Sequence, residues 1–349
     1  MRLEKELTMF TKKKRLIFVL VVTIILSSLM FGCATKPEDT TADGVYKIAF
    51  VSDQAFDASE WLQNLVVGLN QYKEENEGVE IKLVEATLAN EYEPKVRAVA
   101  EEGYDLIITS YDSMASATIS VANDFPNIKF ASLQGMIENI SQYKNIEEFK
   151  LNRPQTAYLA GIVAGMMTEK NLVGIVGGAD VGGINEIIAG WQQGMRRVNP
   201  EIEDIVVYSN TFTDPTIGKE LGLSLVAKGA DIIAAAAGGT GVGTAQAAAE
   251  SEVHFVAWDV HYQDVLGGLE LGSAVNYFEK MFILYIDDVR SGKYEGGVLK
   301  EYGIADGVCD FEILENSPAF QKEILDEIAL AKEEIGSGKV VVSGEPLHK

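Results

Sequence analysis

Two successive α/β lobes, each a doubly wound parallel sheet, are the fold class this sequence predicts. Three observations predict it. From Val45 onward, short β-branched runs alternate with helical stretches at about 25-residue intervals, the rhythm of right-handed βαβ units. The same alternation starts again near residue 156. About 300 residues follow Val45, enough for two domains of ordinary size, each with its own core.

Taken in order, the first strand spans 46–51. A helix over 59–75 places Trp61, Leu62, Leu65, Val66, Leu69 and Tyr72 at helical spacing. Residues 79–84 alternate as strand two, 92–102 are helical, and Gly103 ends that helix. Strand three is 104–109, a further helix runs to Asp124, and strand four is 128–133. The second round opens with a helix over 156–168, whose Ala160, Gly161, Ala164 and Gly165 allow close packing. Strands at 172–177, 205–208, 231–235 and 254–258 follow, interleaved with helices at 185–198, 215–228 and 244–251. In such sheets ligands bind outside the carboxyl ends of the strands, and two facing lobes would line one cleft with them.

The N-terminal segment sets the location. Lys12, Lys13, Lys14 and Arg15 precede an apolar run over 16–31 that is short for a membrane span and stops at Gly32-Cys33. A small residue before a Cys at the end of such a run is the pattern of a bacterial lipoprotein signal. Residues 1–32 are then removed and lipid is attached to Cys33, although Met30 and Phe31 depart from the usual residues there. An uncleaved anchor helix is the alternative, and either places the body outside, held at a membrane. Met9 offers a second start with a shorter basic region. Residues 33–44 are small and polar and read as a flexible tether.

The whole chain carries a formal charge of −23. Without residues 1–32, 23 basic side chains face 50 acidic ones, a charge near −27. That repels nucleic acid and disfavours a polyanionic ligand. Cys309 has no partner once Cys33 is lipidated, and three His leave no metal site of ordinary spacing. No cofactor is expected.

Several stretches carry a family resemblance. Phe56-Asp57-Ala58-Ser59-Glu60-Trp61 resembles the SFNQSAW segment of the basic membrane protein family, the nucleoside-binding lipoproteins of ABC importers. Tyr92-Glu93-Pro94, the run from Gly103 to Ile108, Tyr158-Leu159-Ala160-Gly161, Val176-Gly177-Gly178, Phe212-Thr213-Asp214-Pro215 and Ala236-Ala237-Gly238-Gly239-Thr240-Gly241 match in the same order. The resemblance implies a type I periplasmic-binding-protein fold, with lobes joined by a hinge and closing on a nucleoside. It also implies an ABC permease as partner and a monomeric chain. On that fold we expect lobe crossings near Gln134, Asp259 and Gly296. The first lobe is then 45–134 plus 259–295. The second is 135–258 plus 296–349, with a final strand near Tyr302 and a C-terminal helix.

The resemblance further implies that Phe56 and Phe212, each in a loop after a strand, sandwich a flat base. Paired aromatic faces suit a planar heterocycle, each contact giving roughly 1–3 kcal/mol; the bland alternative is that each ring plugs its lobe core. An Asp at position 259 accepts from ribose hydroxyls in the family, and a carboxylate can accept from two vicinal hydroxyls at once. A helix cap or hinge role is the competing reading. Asp112, in the loop after strand three, is a second carboxylate of this kind. Gly238 and Gly239 lack the Lys-Ser/Thr ending of a phosphate loop and are read as letting the backbone approach a neutral ligand.

Three polar positions depart from the family: Asp57 replaces Asn, Ser116 an Asp that reads the base edge, and Asn276 a Lys. The stacking residues and Asp259 are kept while edge chemistry changes, so a purine nucleoside is favoured only slightly and riboflavin is a further option. A ligand-binding sensor uncoupled from transport is another reading. Catalysis has little to work with: no Gly-x-Ser-x-Gly elbow occurs, and His261 beside Asp259 is the only hint of a pair.

Overall fold

A computed structural model of the chain describes residues 44–58 and 60–349. The signal segment, Cys33 and the tether up to residue 43 lie outside the described residues.

Twelve strands form two six-stranded sheets among the described residues. The first holds β1 (Tyr46–Ser52), β2 (Val79–Glu85), β3 (Leu106–Ser110), β4 (Lys129–Leu133), β5 (Ile146–Leu151) and β11 (Leu299–Tyr302). The second holds β6 (Leu172–Gly177), β7 (Glu203–Tyr208), β8 (Ile232–Ala236), β9 (His254–Trp258), β10 (Glu270–Asn276) and β12 (Cys309–Glu312). Strand order is β11-β5-β4-β3-β1-β2 in one and β12-β10-β9-β8-β6-β7 in the other. Every pairing is parallel except β12 on β10.

Each sheet is covered on both faces, which is why β3 and β8 are buried along their whole lengths. Helices Glu60–Glu75 and Phe278–Arg290 cover one face of the first sheet around Phe50, Leu62, Leu65 and Phe282. Helices Tyr92–Glu101 and Ala115–Asp124 cover the other around Val96, Ile107 and Val121. In the second lobe, Arg153–Met167 and Gly182–Val198 pack together as the small residues predict. A methyl group on Gly161 would sit 2.3 Å from the Trp191 carbonyl oxygen, and one on Gly194 would sit 1.9 Å from that of Tyr158.

The crossings differ from expectation. The chain does not leave the first lobe near Gln134: β5 follows and pairs with β4, and the crossing comes at Asn152. It does not leave the second lobe at Asp259 either, because β10 first adds beside β9 and the crossing falls at Tyr277. The third crossing follows Tyr302, not Gly296, since β11 pairs with β5 in the first lobe instead of joining the second. By sheet membership the first lobe is 45–151 plus 278–302. The shared cause is an extra strand. β5 is disguised by Glu147 and Glu148, whose burial pushes both carboxyls above the ordinary carboxylate range. Glu147 meets Lys300 at 2.8 Å and Tyr285 at 3.0 Å, and Glu148 accepts from the Met136 and Ile137 backbone N–H groups at 2.6 and 3.3 Å. Partners of that kind are what a buried acid requires. Two crossings lie side by side, Asn152 N–H donating to the Tyr302 carbonyl at 2.8 Å, and Lys150 reaches Glu186 of the other lobe at 3.0 Å.

Candidate functional site

Phe212 lies in the loop after β7 with its ring laid on the backbone of Gly178, after β6. A methyl group on Gly178 would meet that ring at 2.1 Å, so only glycine admits the contact. The loop is tied down: Thr240 N–H donates to the Phe212 carbonyl at 3.3 Å, Asp214 N–H donates to Thr240 Oγ1 at 3.0 Å, and the Asp214 carboxylate caps the helix Pro215–Ala227 through Thr216 N–H at 2.9 Å. Even so the ring is 44% exposed. A supported aromatic side chain of this exposure has the geometry that stacking on a planar ring requires. Phe56 is a different case. Its ring is half-buried, tilted at 5.8 Å from Phe50 and packed on the first-lobe core, and its N–H donates to Glu85 at 2.7 Å.

Asp259, the first residue beyond β9, has φ 62°, and its N–H donates to the Ala274 carbonyl at 2.8 Å. Asn276 at the end of β10 donates its Nδ2 to Asp259 Oδ1 at 2.7 Å. Because the carboxylate demands the NH2 end of that amide, Asn276 Oδ1 points elsewhere, buried and without a hydrogen bond among the described residues. Asp57, Asp112, Ser116, Gly238 and Gly239 are exposed in loops or first helical turns at carboxyl ends of strands. Gly238 has φ +53° and lies under the Phe212 carbonyl, which explains a glycine there.

Sequence reasoning missed a second group. Tyr111 and Gln134 are the first residues beyond β3 and β4, and both hold left-handed backbone, φ 52° and 51°. For a bulky aromatic such as Tyr111 that conformation is strained, and strain of this kind collects at functional sites. Burial pushes the Tyr111 hydroxyl up to about 12, with Arg153 opposing the rise and Asp53 and Asp259 adding to it. Tyr111 therefore lies in the field of charges from both lobes. Asp53 accepts from Ser110 Oγ at 2.8 Å and Ser113 Oγ at 2.6 Å. Arg153 donates to Gln134 Oε1 at 2.7 Å, and a methyl group on Gly183 would lie 2.5 Å from its NH1. It thus lies between the loop after β4 and the first turn of the helix Gly182–Val198. No periodicity marks these residues; their backbone angles do.

The family described as Bmp, ABC transporter substrate-binding protein PnrA-like, matches residues 45–345. The chain belongs to the Bmp family. It is 25% identical to the "ABC transporter nucleoside-binding protein BmpA" of Lactococcus lactis subsp. cremoris, over 95% of this chain and 99% of that one. It is 23% identical to the "Basic membrane protein A" of Borreliella burgdorferi, over 93% and 95% of the two chains. A solved ABC transporter solute-binding protein from Conexibacter woesei superposes with a TM-score of 0.68 at 19% identity, covering 86% of this chain and 99% of that one. The lobes thus form a type I periplasmic-binding-protein fold.

As a Bmp-family substrate-binding protein, the chain works for an ABC transporter, with a small-molecule ligand and a permease as partners. His261 fits that work as a brace. Its Nδ1 contacts the buried Glu270 and its Nε2 lies 3.2 Å from Glu312, which also accepts from Tyr277 at the second crossing. Both ring nitrogens are occupied by protein, so His261 fastens the hinge side of the Bmp second lobe.

Proposed function

We propose that this Bmp-family protein captures a nucleoside between its lobes, held on the extracytoplasmic face by lipid on Cys33, and acts as a monomer that delivers its ligand to an ABC permease. The observation that carries the reading is Phe212, its ring laid on Gly178 and the residue 44% exposed. Asp259, oriented by Asn276 at 2.7 Å, supplies the acceptor for vicinal hydroxyls. Phe56 closes the ring from the first lobe, and Asp57, Asp112, Ser116, Gly238 and Gly239 border the space between. The name of the Lactococcus relative supports the same ligand class. Riboflavin, flat and polyhydroxylated, meets both requirements and is the second ligand to test.

Calorimetry of the full chain in detergent against inosine, adenosine, uridine and riboflavin tests the proposal. Saturable binding of a nucleoside that Phe212→Ala weakens supports it. Absence of heat with every nucleoside, from protein first freed of endogenous ligand, contradicts it.

A further inference from the structure

Five arginines fall within the described residues. Arg97, Arg196, Arg197 and Arg290 each pair with a carboxylate. Arg153 makes no ion pair among the described residues; its hydrogen-bond partner is the neutral amide of Gln134 at 2.7 Å. In a chain of charge −23 carboxylates are abundant, so an arginine without one is unusual. Its position adds to the oddity. Arg153 opens the helix Arg153–Met167, where the helix dipole disfavours a cation. Neither fold nor dipole calls for it there.

Gln134 sharpens the point. Arginine only donates, so the Gln134 carbonyl oxygen must face it and the NH2 must face away. That Nε2 is buried with no hydrogen-bond partner among the described residues. A buried donor left unmade costs stability, and Gln134 meets that cost on a strained backbone, φ 51°. Glu148 fixes the adjoining backbone by accepting from Met136 N–H at 2.6 Å. The remaining guanidinium N–H groups and the Gln134 amide therefore form a corner of donors that lacks acceptors. Gly183, which leaves room for the guanidinium, is in the same segment after β6 as Gly178, which supports Phe212.

We propose that Arg153 and Gln134 read carbonyl oxygens on the edge of the ring stacked at Phe212, so that the site selects oxo-heterocycles over their amino counterparts. This rests on the nucleoside reading above. Hypoxanthine, guanine, uracil and the flavin ring present such oxygens; adenine offers an amino donor at the corresponding edge, as cytosine does. An anionic acceptor is disfavoured by Asp57, Asp112 and Asp259, all exposed at the same carboxyl edges.

The test compares inosine with adenosine and uridine with cytidine, by calorimetry on the full chain. The oxo member of each pair should bind at least about ten-fold more tightly, the discrimination a bidentate arginine contact gives. Arg153→Met should remove most of that ratio by loss of affinity for the oxo member, with the melting temperature and helical circular dichroism reporting that the variant is folded. If Arg153→Met does not fold, Arg153→Lys, which keeps charge but not the planar fork, should lower the ratio part of the way. Equal binding within each pair, or a ratio unchanged in both variants, overturns the inference and leaves the nucleoside reading standing. Inosine monophosphate binding more tightly than inosine would make the corner an anion site and overturns it too. Failure of all four nucleosides to bind removes both.

Discussion

Asn276 donates its Nδ2 to Asp259 Oδ1 across 2.7 Å, while its own Oδ1 is buried without a hydrogen bond among the described residues. One amide thereby aims a carboxylate and holds an acceptor in reserve. Asp259→Ala should weaken hydroxylated ligands by about 1.5–3 kcal/mol, the range for hydrogen bonds to a charged group, and leave the free base nearly unchanged. Titration of a nucleoside and its base against both proteins checks this; equal losses for the two would remove Asp259 from sugar recognition.

The two aromatic residues should separate in their effects. Phe212→Ala should weaken every planar ligand by roughly 1–3 kcal/mol and lower the melting temperature less than Phe56→Ala does, because the residue is 44% exposed. Phe56→Ala should weaken ligand comparably and also destabilise the chain, by up to about half of the roughly 3–5 kcal/mol of a fully buried ring. Thermal melts without ligand distinguish the two.

Alkaline pH provides a check on packing. Burial raises the hydroxyls of Tyr72, Tyr104, Tyr111 and Tyr262 from 10.0 to about 12. Between those values these four tyrosines lose their protons in the unfolded chain and keep them in the folded one. Stability is therefore full below pH 10 and falls as pH rises toward 12. Tyrosinate absorbance from these four should rise together with loss of helix; their titration near pH 10 in a folded chain would contradict it.

Much of the fold was legible because periodicity and β-branched runs mark strands and helices directly, as at Leu172–Gly177 and His254–Trp258. The crossings were not. Glu147 and Glu148 break the apolar pattern of β5, and their partners, Lys300 and Tyr285 for one and the 136–137 backbone for the other, are remote in sequence or set by a loop. Phe212 and Asp259 became candidates through the family resemblance together with their places after strands. Tyr111, Gln134 and Arg153 did not, since their signals are a backbone angle and a missing ion partner, both of which exist only after folding.

Anchoring is tested by Cys33→Ala. Loss of lipid labelling with release of the body, or an uncleaved precursor, is expected; unchanged labelling would contradict lipid attachment at that residue.

The most direct measurement of ligand capture is mass spectrometry of small molecules released by denaturing the full chain purified from its own membranes. A planar heterocycle carrying a hydroxylated chain or ribose, at near one per protein and at lower occupancy in Phe212→Ala, is the predicted result. A stoichiometric ligand with no aromatic ring, such as a free sugar or a peptide, would contradict the account.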